Sequence, residues 1–350
     1  MRRVSHTGGD VPVQGPGAGP STVADVTDHL LVRDVDEDAL LALIFPHLPA
    51  GTGTSVPPGD DAAVVAAPDG RVVVTTDVLV EDRHFRRRWS TGEDVGHRAA
   101  VQNLADVAAM GARPTSLVVA LVAPGDLPVD WVEGLARGLG QVCAPLDVGV
   151  VGGDLSGGEH VVVAVTAHGD LAGRAPVLRS GARPGDVVAH AGRRGWSAAG
   201  LALLDAGRGG DDAGLVEAYL RPTSPLEAGP RAADAGATAM LDVSDGLLRD
   251  AGRIARSSGV RLDLDEPRSA FADDLERLEH AARLLGADAT EWVLTGGEDH
   301  GLLATFPADG PLPAPFRRVG RVLDAGEGPD VLVGGHEPGT RGTGWDHFRA

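Results

Sequence analysis

Five short segments place aspartate where a strand or helix meets a loop: Gly59-Asp60-Asp61, Thr75-Thr76-Asp77, Asn103-Leu104-Ala105-Asp106, Gly152-Gly153-Asp154 and Asp242-Val243-Ser244-Asp245-Gly246. Each alone is a weak signal, and for any one of them a turn or helix cap, positions that favour Asp and Gly for their own sake, is the commoner reading. Asp106 differs, because it falls inside a helical pattern among Val101, Leu104, Val107 and Ala108. A carboxylate there needs a partner, either a cation or a buried Arg. If several of these carboxylates converge, their oxygen-only donor set selects a hard divalent ion such as Mg²⁺ over zinc, and Mg²⁺ characteristically bridges carboxylates to phosphates. Gly152-Gly153 reads as a turn whose N–H groups suit a phosphate. Thr295-Gly296-Gly297-Glu298-Asp299 reads either as a solvated turn or as a ligand-binding strand end. His84, the Arg86-Arg87-Arg88 run and Trp345 are further candidates for phosphate or aromatic contacts, each with an ordinary reading as an exposed side chain or a core anchor.

Composition removes several rival chemistries. The 31 basic residues are all Arg. A chain without Lys has no P-loop lysine and no amine for a Schiff base or for pyridoxal chemistry. The phosphate-neutralising Lys must therefore be replaced by metal ions, by Arg179 and by backbone N–H groups. A formal charge of −19 opposes a nucleic-acid surface. The single Cys143 excludes a disulfide framework and a thiolate metal site, and suits a reducing cytoplasm. No apolar run approaches the roughly 18 residues of a membrane span, and the first residues lack the apolar stretch of a signal peptide, so no membrane association is expected.

The elements that must position these residues alternate as in an α/β (α+β) protein of two domains. Residues 1–25 read as a Gly/Pro-rich tail, 26–175 as an N-terminal domain, and 176–350 as a C-terminal α/β domain, with the break inside the turn-rich stretch 169–186. Helical spacing is expected over Asp36–Phe45, Val95–Met110 and Val129–Cys143, and strands over Arg71–Val80, Ser116–Val122, Val148–Val151 and His160–His168. In the second domain, strands are expected at Val187–His190, Ala237–Leu241, Val260–Leu264, Glu291–Leu294, Gly301–Phe306 and Arg317–Leu323. Helices are expected near Ser197–Ala206 and Leu226–Ala235, with another opening at Asp245-Gly246.

The ordered series GDDAAVV (59–65), TTDVLVEDRHF (75–85), VQNLADVAAMGARP (101–114), GGD (152–154), RSGARPGD (179–186), LDVSDGLLRD (241–250), TGGED (295–299) and GWDHF (344–348) resembles the thiamine-monophosphate kinase family. That family lies in the superfamily of aminoimidazole ribonucleotide synthetase, selenophosphate synthetase and a hydrogenase maturation protein. The reactive Cys of the last two and the Gly-rich-motif Lys of the first have no counterpart here, although a sister synthetase remains the alternative. The resemblance implies ATP-dependent phosphorylation of thiamine monophosphate to the diphosphate in a homodimer whose N-terminal sheets pair. It further implies that Asp61, Thr75, Thr76, Asp77, Asp106, Asp154, Asp242 and Asp245 bind several Mg²⁺ ions. Gly153, Asp154, Arg179 and Ser244 would contact ATP, and His84, Glu298 and Trp345 thiamine monophosphate. No side chain is expected to act as a general base. Two departures stand out: His300-Gly301 replaces the family's usual Tyr-Glu, and Glu81-Asp82-Arg83 is unusually charged.

Overall fold

The structure, a computed structural model, describes residues 30–58, 62–340 and 342–345; the expected tail and Asp61 lie outside them. A small antiparallel ribbon, β1 (Thr54–Val56) with β2 (Val64–Val65), precedes a four-stranded sheet. That sheet comprises β3 (Val73–Val80), β4 (Arg113–Ala123), β5 (Gly149–Gly157) and β6 (Val162–Asp170) in the order β3-β6-β4-β5, with only the β4–β5 pair parallel.

Helices α1 (Glu37–Ile44), α2 (Gly92–Ala109) and α3 (Val129–Cys143) lie on one face of this sheet. The start of α2 is fixed by a capping box, in which Thr91 and Asp94 satisfy each other's backbone N–H groups. Gly111, at φ +75°, follows its end. Period-two alternation along β3 turns Leu79 into the core while Val74 and Val78 stay 61% and 45% exposed on the opposite face. Among the described residues the sheet thus has one packed face and one face on which β3 leaves Val74 and Val78 exposed.

A second sheet has the order β12-β9-β11-β7-β10-β8. It is built from β7 (Val187–Ala191), β8 (Ala239–Val243), β9 (Arg261–Leu264), β10 (Gly301–Phe306), β11 (Arg317–Leu323) and β12 (Val331–Val333), antiparallel except for β9–β12. Around it pack α4 (Trp196–Asp205), α5 (Ala213–Leu220), α6 (Ala228–Asp234), α7 (Leu247–Ser258), α8 (Pro267–Ala270), α9 (Ala272–Leu285) and α10 (Ala289–Thr295). On α7, Leu247, Leu248, Ala251, Ile254 and Ala255 face the core and the arginines face outward.

Two expectations are corrected. Glu291–Leu294 is helical, inside α10, because Asp288 accepts the Thr290 N–H as a cap and Val293 and Leu294 bury into the core; so short an apolar run fits either period. Gly152-Gly153-Asp154 is not a turn but the middle of β5, next to a bulge in its pairing with β4. The sequence reading also passed over α9, whose Leu275, Leu278 and Ala282 recur at helical spacing.

The two halves meet along α2. Gly229 of α6 seats against the Ala108 carbonyl so closely that a Cβ would lie 2.0 Å from it. Arg98 reaches the Tyr219 carbonyl at 2.5 Å, and Arg221 pairs with Asp94 at 2.5 Å. Helices α2 and α3 pack at backbone contact: a Cβ on Gly138 would stand 2.1 Å from the Glu93 carbonyl oxygen. An Ala in a helix interior normally gains about 1 kcal/mol over Gly. Gly138→Ala should do the reverse and lower the unfolding free energy by about 2 kcal/mol through overpacking, as read by denaturant titration; a gain in stability would contradict this packing.

Candidate active site

Strand β3 and helix α2 from the first half, and the β8 end and α10–β10 loop from the second, bring a set of carboxylates to one junction. Thr75 and Asp77 alternate with Leu79 on the packed side of β3, and the Thr75 hydroxyl donates to Asp106 Oδ2 at 2.9 Å. Asp106 feels the charges of Asp242 and Asp77; burial first, then those two like charges, push its carboxyl up to about 7. Asp242 is itself buried at the end of β8. Among the described residues no three acidic or imidazole groups form a finished metal cage. What converges is an oxygen-rich, mutually repelling set.

Three loops are stitched together at the second half of the site. The Glu298 N–H donates to the Ser244 carbonyl at 2.8 Å, and the Trp345 N–H donates to the Asp245 carbonyl at 2.8 Å. The stitching demands glycine: a Cβ on Gly297 would meet Ser244 O at 2.5 Å, and one on Gly246 would meet Thr295 O at 2.5 Å. Within TGGED the two acids part company. Asp299 turns inward, accepting the Gly195 and Ser197 N–H groups at 2.5 and 2.9 Å beside Arg194, and so serves the start of α4. Glu298 turns toward the junction, where Oε2 lies 3.8 Å from Arg98 Nε and 3.7 Å from His300 Nε2. Burial opposes ionisation of Glu298, but Arg98, His300 and His84 outweigh it and hold the carboxyl down at about 2. For His300, burial disfavours the cation; Asp242, 3.5 Å away, and Glu298 outweigh it and raise the imidazole to about 10.

The candidate residues therefore separate. Thr75, Asp77, Asp106, Asp242, Glu298 and His84 share the junction, and His84 Nδ1 accepts the Val80 N–H at 3.0 Å. Ser244 and Trp345 adjoin it through the loop stitching. Asp245 also adjoins it, but its carboxylate is engaged by Arg253. Thr76 points to the bare face of the sheet, donating to the Val165 carbonyl. Gly153 and Asp154 sit on β5, three strands from β3, and Arg179 is exposed on the linker between the sheets. Asp61 lies outside the described residues. Sequence reading missed Arg98, although it precedes Asp106 by about two helical turns and so shares its side of α2. It noticed His300 only as a departure. Beside β5, a groove of about 860 Å³ runs between α1, α3 and the strand edge, lined by Phe45, Leu48, Leu139, Gly152, Gly153 and Asp154 among others.

Residues 59–171 match the AIR synthase related protein, N-terminal domain, and residues 183–306 match the corresponding C-terminal domain. The chain is 52% identical over 292 residues to thiamine-monophosphate kinase of Mycobacterium tuberculosis H37Rv, covering 83% of this chain and 85% of that protein. It is 45% identical to the Corynebacterium glutamicum thiamine-monophosphate kinase over 312 residues, 87% and 88% of the two chains. Among solved structures, AaThiL complexed with AMPPCP and TMP superposes with a TM-score of 0.72 at 32% identity, covering 91% of this chain and 99% of that one. Hydrogenase maturation protein HypE of E. coli shares the fold alone, at 16% identity and a TM-score of 0.64 over 85% and 93% of the chains.

Because the Asp106 carboxyl titrates higher folded than unfolded, its ionisation destabilises the folded metal-free protein above about pH 7, and that penalty fades as pH falls toward the ordinary carboxylate range. Asp106→Asn should therefore raise the melting temperature in chelator at pH 8 and raise it less at pH 5. Equal shifts at both pH values would show that burial and the neighbouring charges do not raise this carboxyl as described.

Proposed function

The chain belongs to the thiamine-monophosphate kinase family of AIR synthase related proteins, and from that premise we propose the reaction and the division of labour at its site. The protein transfers the γ-phosphoryl group of ATP to the phosphate of thiamine monophosphate, giving thiamine diphosphate and ADP. The observation that carries the reading is the convergence of Asp77, Asp106 and Asp242 with the Thr75 hydroxyl where the two halves meet.

The acceptor is a phosphate monoester whose second pKa is about 6, so it arrives largely as a dianion and needs no general base. The obstacle is repulsion: two unit charges about 4 Å apart cost about 4 kcal/mol at an effective dielectric near 20, and both substrates carry several. The carboxylates and Thr75 form an all-oxygen donor set that fits Mg²⁺; burial first, then the charges of Asp242 and Asp77, disfavour the Asp106 anion, and a divalent cation would favour it. Bound Mg²⁺ would supply charge neutralisation between donor and acceptor phosphates. Asp77, Asp106 and Asp242 would hold it, with Asp61, Asp154 and Asp245 as the remaining family-implied ligands; Thr76, also implied by the family, keeps its hydroxyl on the other face of β3. Positioning is the task of the protein itself. The groove beside Gly153 has the volume of a nucleotide pocket, and we assign the ATP base to it, with Arg179 and Ser244 as further ATP contacts. Glu298, flanked by His84, faces the cationic ring of the acceptor, and Trp345 covers its pyrimidine. We divide the chain at residues 175 and 176, and a reducing cytoplasm suits its single, buried Cys143.

A homodimer accounts for the one awkward feature. In a single chain Asp154 is separated from Asp77 by the width of the four-stranded sheet, roughly 14 Å at about 4.8 Å per strand. The bare face with Val74 and Val78 is apolar surface that a second copy would cover, bringing the β5 edge of one chain beside β3 of the other.

Incubation with Mg²⁺, ATP and thiamine monophosphate should yield thiamine diphosphate and stop in chelator; turnover restricted to an amide or formyl substrate would defeat the reading. Asp77→Asn and Asp154→Asn should each lower kcat at least about 100-fold. After subunit exchange, an equimolar mixture should recover about one quarter of wild-type activity, since half the dimers are mixed and each carries one intact site. No recovery would mean that Asp154 does not serve the partner's cluster.

A further inference from the structure

Buried polar atoms without a hydrogen-bond partner are uncommon in folded proteins, and where they gather they ask for an explanation. Four gather at the junction: Arg98 Nε, Glu298 Oε2 and both ring nitrogens of His300. They face one another at 3.7 to 3.8 Å around Glu298 Oε2, with His300 Nδ1 turned to Asp242 at 3.5 Å. The backbone under them is strained. Glu298 has φ +66° and His300 has φ +48°, a region that costs non-glycine residues free energy unless neighbours enforce it. The neighbours do so: Ser244 O holds the Glu298 N–H, Ser197 Oγ donates to the Glu298 carbonyl at 2.8 Å, and the Asp299 carboxylate is fixed under α4. Beyond His300 no side chain fits at position 301, where a Cβ would stand 2.6 Å from His190 Nε2.

The loop therefore spends backbone strain on aiming Glu298 and His300 at Arg98. Left to itself, a carboxylate at a partly open junction would swing toward water. Arg98 cannot follow it, because its guanidinium is anchored to the His84 and Tyr219 carbonyls at 2.6 and 2.5 Å and lies over the Tyr219 ring. Both cations approach Oε2, which is buried, while the Glu298 side chain as a whole keeps 38% of its surface, so that exposure belongs to its other atoms.

We propose that Arg98 and His300 are positioning residues that clamp Glu298 Oε2 from the two halves of the protein, so that Oε1 is presented to the cationic ring of the phosphate acceptor and selects a cationic phosphate monoester. This rests on the thiamine-monophosphate kinase reading and adds to it the pair that sets acceptor affinity. The groove assigned to the ATP base is lined by neither residue.

Steady-state kinetics with both substrates varied tests it. Glu298→Gln and His300→Gln should each raise KM for thiamine monophosphate about tenfold, a loss typical of a charge-assisted contact, with KM for ATP changed less than about twofold. In the Glu298→Gln background, His300→Gln should add almost nothing, because the carboxylate it positions is gone. Arg98→Lys, which keeps the charge, should raise the acceptor KM less than Arg98→Met; should either Arg98 variant fail to fold, the His300–Glu298 cycle decides alone. If Glu298→Gln raises the acceptor KM but His300→Gln leaves it unchanged, or if the two effects add fully in the double variant, the clamp is wrong while the acceptor role of Glu298 stands. If Glu298→Gln leaves the acceptor KM unchanged in an enzyme that makes thiamine diphosphate, both the clamp and that acceptor role fall while the reaction stands.

Discussion

Crowded negative charge is the constraint on which the rest of the molecule turns. Asp77, Asp106 and Asp242 are brought together at the seam between two sheets, and burial together with the charges of its two neighbours holds Asp106 protonated well above the ordinary carboxylate range. A fold selected only for stability would place apolar groups there, since burying like charges beside one another lowers stability. Retaining them makes sense where a divalent cation and two anionic substrates complete the electrostatics. The strain is local, because α2 on one side and the β8–β10 pair on the other are ordinary, well-capped elements with apolar cores.

How such a junction stays in register follows from its close backbone contacts. Gly229 on Ala108, Gly297 on Ser244 and Gly246 on Thr295 are places where a single Cβ would force elements apart. Rigid seating of this kind transmits position: displacing the second half from α2 would withdraw the Tyr219 carbonyl of α5, which orients Arg98 together with the His84 carbonyl of the first half. The site is thereby a property of the interface between halves, in keeping with a phosphoryl transfer that works by alignment and charge rather than by a reactive side chain.

The parts of this arrangement that were legible in the sequence were those governed by local rules. Helix α3 was expected at its observed bounds, Val129–Cys143, and Asp106 was expected inside a helix and in need of a partner, because apolar period and the cost of a buried carboxylate need no tertiary knowledge. Glu291–Leu294 was misread as a strand because four residues cannot distinguish the two periods, and Gly152-Gly153 was misread as a turn because glycine in a bulged strand looks the same in one dimension. The separation of Thr76 from Thr75 and Asp77 follows simple strand alternation and was open to the sequence reading. The split between Glu298 and Asp299 was not, because it depends on the remote start of α4 claiming Asp299.

The absence of lysine acquires a structural meaning at the same place. Arg98 holds two carbonyls and still turns Nε toward Glu298; Arg194, fully buried, bonds the Gly296 carbonyl at 2.6 Å while approaching Asp299 at 3.4 Å. One guanidinium thus steers the TGGED loop from across the seam and the other from beneath it. A planar fork with five donors can serve several acceptors at once in a fixed geometry, whereas an ammonium is a point charge on a flexible stem. Arginine spent in this way is committed to architecture and is not available to neutralise phosphate. In a chain with no lysine, the geometry of the TGGED loop is set by two guanidiniums, one from each half of the protein.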